Sequence, residues 1–538
     1  MSARNKLIQL FCVAAVFATI LFFGCKIYSD YGIPSDEEIE RVNGIVSLNY
    51  VGKIFKVQSI QKSESLVAFS HLNLASYKDR DYPVLFNMPA AMLERLLHIT
   101  DEKDVYKLRH LLVFLISVLG IYGIYRLGEL RFSSWKMGLI PVTFFLLSPR
   151  FFAESFYNSK DLVFLTFFCI ATFTLFKLIL HPSYRWALAH AIATALAINV
   201  RIMGVLMVLI TLACILLKLY QDHGQNFRRY SGITFAYILI MASLTVVLWP
   251  WLWENPAGHI IEGFRNMSLF SRGPEDVFFM GAIHQTRALP WYYIPAYILL
   301  TTPLFITALF SLGTFNFVAS ILKAGRHSLK SSENLQDLIY LALIFIPIAV
   351  VIILNSVLYD GWRQLYFIYP AMLILATKGL VDLLNFSAIK NYLAARLLVL
   401  LIGVYSLIIT GYWMYVAHPF QNVYFNILAG QDLIKNFEVD YWGLSNRQAL
   451  EYLASIDSGG QIYVASETVP PLDLALKSLP ENDRNRIIVV DNVDKAQYVI
   501  NNYRFNFRDY EAQGDYKKIQ DIKADGEVIN SIYVKVKK

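Results

Sequence analysis

Three carboxylates that follow the first long apolar run are the first candidates for chemistry in the chain. The apolar run covers 7–28, and Asp36, Glu37 and Glu38 lie shortly after it. Carboxylates held close to a lipid boundary can share protons, bind a divalent cation or accept a proton from a hydroxyl group. The alternative is the solvated first turn of a helix, where acidic side chains are favoured by the helix dipole. Both interpretations place this segment in water beside a membrane.

A second group of ionisable residues lies between two apolar runs. Arg150, Glu154, Lys160 and Asp161 belong to a polar segment at 148–161, which is expected to be a loop that joins two spans across the outer surface. Ionisable residues at a membrane boundary favour a functional role, although snorkelling and helix capping explain the same pattern. Asp161 is the residue for which function is favoured, because it supplies a second acid that can face the first.

Arg363 is the main candidate for binding phosphate. Its guanidinium group has the planar fork that suits two phosphate oxygens, and Tyr359 and Trp362 beside it are typical of a membrane interface. Arg150 and Lys160 are further candidates for the same role. A simple positive anchor at the interface is the alternative.

The composition identifies a polytopic membrane protein. Of 538 residues, 56% are hydrophobic and 17% are charged, and the mean hydropathy is +0.44. The net charge of +7 comes from basic residues in short loops, which indicates membrane topology and excludes a nucleic-acid-binding role. The four cysteines lack CxxC spacing, so they predict neither a zinc site nor a disulfide framework.

The apolar runs predict an all-α membrane domain over 1–416. About eleven transmembrane helices are expected, at 7–28, 110–127, 137–149, 161–180, 186–199, 202–219, 231–251, 291–318, 338–356, 364–380 and 397–416. Alternate loops carry basic residues such as Arg131, Lys177, Arg326, Lys330 and Lys390, and the positive-inside rule places them in the cytoplasm. The amino terminus is then cytoplasmic, and every candidate acid lies on the outer side.

The outer side also receives two larger segments. The first, 30–109, is expected to be an extracytoplasmic loop with short amphipathic pieces. The second, 417–538, has alternating apolar runs near 461–465, 486–490, 497–500 and 531–536 and a helical pattern at 446–456. It predicts a small soluble α/β domain outside the membrane, with a periplasmic carboxyl terminus if the membrane is a bacterial inner membrane.

Several motifs in order resemble a known family. Ser148 to Asp161, Asp36-Glu37, Arg109-His110, Ala288-Leu-Pro-Trp-Tyr-Tyr-Ile-Pro295 and Tyr359-Asp-Gly-Trp-Arg-Gln-Leu365 are similar to the bacterial glycosyltransferase family 39 proteins. These are relatives of the protein O-mannosyltransferases and the lipid A aminoarabinose transferases. The resemblance implies the GT-C fold, a polyprenyl-phosphate sugar donor and an acidic pair in the first outer loop. The oligosaccharyltransferase signature Trp-Trp-Asp-Tyr-Gly is absent, which argues against N-glycan transfer.

The resemblance suggests a role for each candidate residue. Asp36 would be the general base or acceptor-orienting carboxylate, Glu37 would orient it or join a metal shell, and Asp161 would bind sugar hydroxyls or an ion. His284, before the Pro-Trp-Tyr-Tyr stretch, could donate to phosphate or sugar. A divalent metal stays possible, because oxygen ligands are present and no His-x-x-x-His spacing is found.

The sequence therefore predicts an inverting glycosyltransferase that works at the extracytoplasmic face. The acceptor could be a lipid, a glycan or a protein. A transporter or flippase of a lipid-linked sugar is the alternative, but its acids are expected at mid-membrane in broken helices or inverted repeats. Here the acids cluster in predicted outer loops.

Overall fold

The fold is taken from a computed structural model of the chain. It describes residues 3–57, 69, 71–268, 272–325, 331–457, 459–508, 510–512 and 514–536. The predicted cytoplasmic residues Arg326 and Lys330 lie outside these ranges.

Long apolar helices form most of the protein. Within the described residues, nine helices are long and apolar enough to cross a membrane. They are α1 (Ala3–Ile27), α4 (Glu102–Phe132), α7 (Asp161–Leu180), α9 (Val205–Gln221), α10 (Phe227–Leu248), α13 (Leu304–Ala324), α14 (Ser332–Ile353), α15 (Tyr369–Asn385) and α17 (Leu393–Val416). The spans of α9 and α15 include the 3-10 turns before them, which begin at Ile202 and Arg363. The helices α4, α7 and α15 are the most buried, whereas α1 and α17 expose most of their apolar side chains at the edge. The prediction of a polytopic helical membrane protein is confirmed.

The helix count is lower than the eleven expected, for two reasons. The run at 186–199 forms α8 (Tyr184–Ile198), whose 15 residues are too short to span a bilayer as a straight helix. The run at 137–149 forms α5 (Trp135–Leu146), which is bent by 80° against α6 (Pro149–Tyr157). If the bent pair counts as one span, the total is ten.

The segment at 148–161 is not the surface loop that was expected. Most of it is the helix α6, and Arg150 and Glu154 are buried there. The Glu154 carboxyl group accepts hydrogen bonds from Asn158 (2.7 Å) and Tyr366 (2.9 Å), so its polar atoms have partners although it is buried. The expectation failed because it treated charged side chains as surface residues, although their partners come from distant parts of the chain.

The described part of the expected outer loop at 30–109 contains two complete helices. They are α2 (Glu37–Ile54) and α3 (Asn87–Leu96), and they pack against each other. A buried ion-pair network holds both on the start of α4, because Glu94 contacts Arg41 (3.0 Å) and Arg109 (3.1 Å).

Short elements connect several of the membrane helices. A hairpin of β1 (Asp276–Phe279) and β2 (Ala282–Gln285) follows α11 (Pro256–Ser268) and precedes α12 (Tyr293–Thr301). The short α16 (Ser387–Lys390) lies between α15 and α17.

The carboxyl-terminal region carries a five-stranded mixed sheet. Its strands are β3 (Ile462–Ala465), β4 (Ile487–Val489), β5 (Tyr498–Asn501), β6 (Tyr516–Ala524) and β7 (Glu527–Lys535), in the order β4-β3-β5-β7-β6. The strands β4, β3 and β5 are parallel, and β7 is antiparallel to both of its neighbours. Its helices include α18 (Asn446–Ile456), α19 (Leu472–Leu476) and α20 (Glu481–Arg484). The predicted strands and the predicted helix at 446–456 are found close to their expected positions.

Candidate active site

Arg363 lies at the centre of a group of carboxylates drawn from distant parts of the chain. Its Nη2 atom is 2.8 Å from Asp360 Oδ2 and 3.0 Å from Asp36 Oδ2, and its Nη1 atom is 3.3 Å from Asp161 Oδ2. Asp36 directly precedes α2, Asp161 begins α7, and Arg363 begins the 3-10 turn Arg363–Ile368 before α15. We call Asp36, Asp161, Asp360 and Arg363 the central cluster. The structure thus brings together two of the predicted acids and the predicted phosphate-binding arginine.

A tight turn places Asp360 and Arg363 in this arrangement. Asp360 has φ of 56° and Gly361 has φ of 75°, so both occupy the left-handed region. The turn reverses the chain just before Trp362, whose ring is buried and whose Nε1 donates to Thr301 (3.0 Å). The indole therefore fixes the turn against α12.

Asp36 is the member of the central cluster that a substrate can reach. Its side chain is 43% exposed, whereas those of Arg363 and Asp360 are each 3% exposed and that of Asp161 is 1% exposed. Burial alone would raise the pKa of Asp36, but the positive charges of Arg363, Lys160 and Arg504 outweigh it and hold the pKa below its usual range. The carboxylate is ionised at neutral pH and can accept a proton or a hydrogen bond.

Asp161 supports the cluster from inside. One oxygen pairs with Arg363, and the other pairs with Arg201, which precedes α9. Asn158 donates to the same carboxylate (3.1 Å) and accepts from the Asp161 backbone N–H (2.7 Å). In this structure both oxygens of Asp161 are held by cations of the protein.

Glu37 points away from Asp36. Its oxygens lie 3.1 Å from His110 Nε2 and 3.5 Å from Arg109 Nε, both on α4. Consecutive residues of a helix project about 100° apart, so Asp36 and Glu37 reach different partners. Glu37 therefore anchors α2 on α4 instead of touching Asp36, within the contacts of the described residues.

The remaining predicted cations lie at different depths. Lys160 pairs with Glu40 (2.7 Å), lies over the Tyr82 ring (3.9 Å) and is 21% exposed. Arg150 is buried, its Nε donates to the Tyr424 carbonyl (3.0 Å), and its guanidinium lies 4.6 Å from the Phe425 ring centre. Its Nη2 atom is buried without a hydrogen-bond partner in the described part of the chain. Lys160 is thus the more accessible cation, and Arg150 keeps a spare donor.

His284 is not brought to the central cluster by any contact that the described residues show. It lies on β2, and its ring centre is 6.2 Å from that of Phe279. Phe279 in turn packs on Tyr293 (4.9 Å) and Tyr297 (5.3 Å) of α12, so the histidine borders an aromatic group.

Sequence reasoning missed two cations that complete the site. Arg201 lies in the two-residue break between the predicted spans at 186–199 and 202–219, on the predicted outer side. A cation at such a membrane boundary is a candidate site residue, so the sequence did contain a signal for Arg201. Arg504 comes from the carboxyl-terminal region, contacts Asp360 (2.9 Å) and Glu438 (3.4 Å), and donates to the Tyr441 carbonyl. Burial raises the pKa of Glu438, although Arg504 opposes this shift. No local pattern in the sequence marks Arg504.

A metal centre is not formed by the described side chains. They contain no group of three His, Cys, Asp or Glu residues placed as metal ligands. The position between Asp36, Asp161 and Asp360 is filled by the Arg363 guanidinium group. The three carboxylates are therefore paired with an arginine of the protein itself.

A family model matches part of the membrane region. Residues 88–253 match the family described as dolichyl-phosphate-mannose-protein mannosyltransferase. This segment contains Arg109, Arg150, Lys160, Asp161 and Arg201. No curated protein matches the chain significantly.

Solved structures resemble nearly the whole chain. The archaeal oligosaccharyltransferase AglB from Archaeoglobus fulgidus, in complex with an inhibitory peptide and a dolichol-phosphate, is 11% identical with a TM-score of 0.52, over 93% of this chain and 70% of AglB. The chain has the GT-C fold. ArnT from Cupriavidus metallidurans aligns over 99% of both chains at 14% identity, with a TM-score of 0.49. The similarity to AglB confirms the GT-C fold expected from the sequence motifs, and the long apolar helices indicate an integral multi-pass membrane protein.

Proposed function

We propose that the protein transfers a sugar from a polyprenyl-phosphate donor to a hydroxyl or amine acceptor, with inversion, at the extracytoplasmic face. The observation that carries the proposal is Asp36: an accessible carboxylate with a lowered pKa, held by a buried arginine. The description of the matching family and the dolichol-phosphate bound to AglB support a lipid-phosphate donor. In the same proposal, the amino terminus lies in the cytoplasm and the membrane is a bacterial inner membrane.

The proposed reaction is a single displacement. The acceptor oxygen or nitrogen attacks C1 of the sugar opposite the phosphate, and its proton passes to the Asp36 carboxylate. The bond between C1 and the phosphate oxygen breaks, and its electron pair leaves with the polyprenyl phosphate. Attack from the opposite side inverts the configuration at C1.

The leaving phosphate needs positive charge that it can reach from the exposed side of the site, where Lys160 lies although it pairs with Glu40 (2.7 Å). Arg363 contacts three carboxylates, so its main effect is to orient Asp36 and to keep it ionised. Lys160 is the accessible cation near Asp36, and Arg150 has a donor atom without a partner. We assign phosphate contact first to Lys160, with Arg150 and Arg363 contributing from deeper positions.

The position of the charged residues favours a transferase over a transporter. Asp161, Arg201 and Arg363 lie where α7, α9 and α15 begin, so the charges gather at one end of the bundle. A flippase is expected to carry such charges at the membrane midplane.

Transfer from radiolabelled polyprenyl-phosphate sugars in reconstituted vesicles tests the proposal. We expect Asp36→Asn to lower the transfer rate by about 10²–10⁴-fold, as for loss of a general base, and Arg363→Ala to abolish transfer. Asp432→Asn is the control, because Asp432 is exposed and, among the described residues, its side chain forms an ion pair with Lys435 alone. If no donor in a broad panel is consumed, or if Asp36→Asn retains the native rate while folded, the proposal is wrong.

A further inference from the structure

A large cavity lies at the opposite end of the bundle from Asp36. It has a volume of about 500 Å³ and is lined by residues of α1, α4, α5 and α7. Among them, Lys177 lies near the end of α7, whose first residue is Asp161. At 1.5 Å per residue the two are about 24 Å apart along the axis, which approaches the thickness of a bilayer core. The cavity is therefore at the other membrane boundary.

Two cations face this cavity around one aromatic ring. The Arg126 guanidinium lies 5.0 Å from the Phe173 ring centre, and Lys177 Nζ lies 5.5 Å from it. Arg126 also pairs with Glu129 (3.0 Å), and Gln9 donates to Glu129 (2.8 Å). Lys177 forms no ion pair within the described ranges. The single carboxylate of the cavity is thus already engaged, and one positive charge is left.

The turn between α4 and α5 adds polar groups to the same cavity. Ser133 ends α4 with φ of 52°, and Ser134 directly precedes α5. The Ser134 hydroxyl makes no capping hydrogen bond, and both serines line the cavity. Hydroxyl and backbone N–H donors beside Arg126 and Lys177 form a set that suits a phosphate group.

The surroundings of the cavity indicate what carries that phosphate. On α1, which supplies Gln9 to the lining, Leu7, Leu10 and Phe11 are between 67% and 74% exposed. Such apolar side chains on a membrane helix face lipid, and Trp135 at the cavity is typical of the interface. A molecule with a phosphate at the boundary and acyl chains along α1 fits both surfaces.

We infer that this cavity binds the headgroup of an anionic phospholipid, with Arg126, Lys177 and Ser134 contacting the phosphate. Basic pockets between membrane helices are a known type of site for such headgroups. The inference is independent of the proposed transfer reaction, because none of these residues belongs to the central cluster.

Thermal unfolding of the full chain in neutral detergent, titrated with phosphatidylglycerol or phosphatidylcholine, tests the inference. We expect phosphatidylglycerol to raise the unfolding temperature at lower concentration than phosphatidylcholine does. Lys177→Gln should weaken this preference about fivefold, as expected for one basic residue. Ser134→Asp should remove it by repulsion, and Asp is a residue type that is favoured at the position before a helix.

Matched variants separate the cavity from general charge effects. Lys323→Gln removes an exposed lysine near the end of α13, and Ser331→Asp adds a carboxylate at the capping position of α14. Both positions are predicted for the same side of the membrane, and both variants should keep the native preference. Equal responses to the two lipids, or an unchanged preference in Ser134→Asp, would overturn the inference. So would full stabilisation by glycerophosphoglycerol, which lacks acyl chains.

Discussion

At the scale of single residues, the site is a cluster of paired charges in which one carboxylate is exposed and the others are buried. Arg363 is surrounded by Asp36, Asp161 and Asp360, and only Asp36 combines this contact with an exposed carboxylate. The balance matters because burying unpaired charge is costly, whereas a paired cluster can be buried on one side and open on the other. This arrangement offers one accessible carboxylate that can accept a proton, held on a rigid support.

The pH dependence of transfer should report the charges around Asp36. The pKa of Asp36 lies below its usual value, so the carboxylate stays ionised from neutral pH down to acid pH. Its negative charge is lost only when the pH falls through that low pKa. Lys160→Gln removes one cation that lowers the pKa, so the loss of activity on the acid side should begin at higher pH. Rates measured from about pH 7 down to about pH 2, on both sides of the ordinary carboxyl pKa near 4, check this, and Lys435→Gln, an exposed change elsewhere, should leave the profile unshifted. A parallel profile for native and Lys160→Gln enzyme would contradict the electrostatic role.

At the scale of helices, the sequence predicts the positions of helices and strands better than it predicts which side chains are buried. The long apolar runs gave the membrane helices, and the alternating runs gave β3, β4, β5 and β7, because local patterns determine those elements. The helix α6 was missed because Arg150 and Glu154 look like surface residues until Tyr424 and Tyr366 are placed beside them. Pairing across more than two hundred positions leaves no local trace.

Close helix packing gives a prediction about stability. Gly313 on α13 and Gly379 on α15 let the two backbones meet, and a Cβ on Gly313 would lie 2.1 Å from the Leu375 carbonyl oxygen. Gly313→Ala should therefore lower the unfolding temperature, since forced overpacking costs about 1–3 kcal/mol. Gly411→Ala on α17 is the control, because its Cβ would meet Leu147 at an ordinary 3.5 Å. Equal unfolding temperatures for native and Gly313→Ala protein would show that these helices can separate freely.

At the scale of the whole molecule, the carboxyl-terminal region is part of the site. The Ser35 N–H donates to the Trp442 carbonyl (3.3 Å), and the Trp442 ring lies 5.1 Å from the Arg363 guanidinium. The sequence predicted a separate soluble domain over 417–538, since composition changes there, and it gave no role to that domain. Composition marks where a chain leaves the membrane, but not which loop returns to the active site.

Arg504 is the residue through which this connection can be tested. It is buried between Asp360 and Glu438, and its removal leaves Asp360 with one cation fewer. Breaking a buried pair costs about 3–5 kcal/mol, so Arg504→Met should lower the unfolding temperature clearly. It should also shift the acid side of the transfer profile to higher pH, because Arg504 is one of the cations that lower the pKa of Asp36.

Arg508→Met provides the matched control, because Arg508 lies four positions later and pairs with Glu467 on the surface. Exposed pairs contribute little to stability, so this variant should unfold and titrate like the native protein. If Arg504→Met also behaves like the native protein, the carboxyl-terminal region packs on the central cluster without supporting it. If it changes stability but not the pH profile, Arg504 holds Asp360 in place and its charge does not act on Asp36. If both the stability and the pH profile change, the sheet region, the turn at Asp360 and the base at Asp36 form one electrostatic unit.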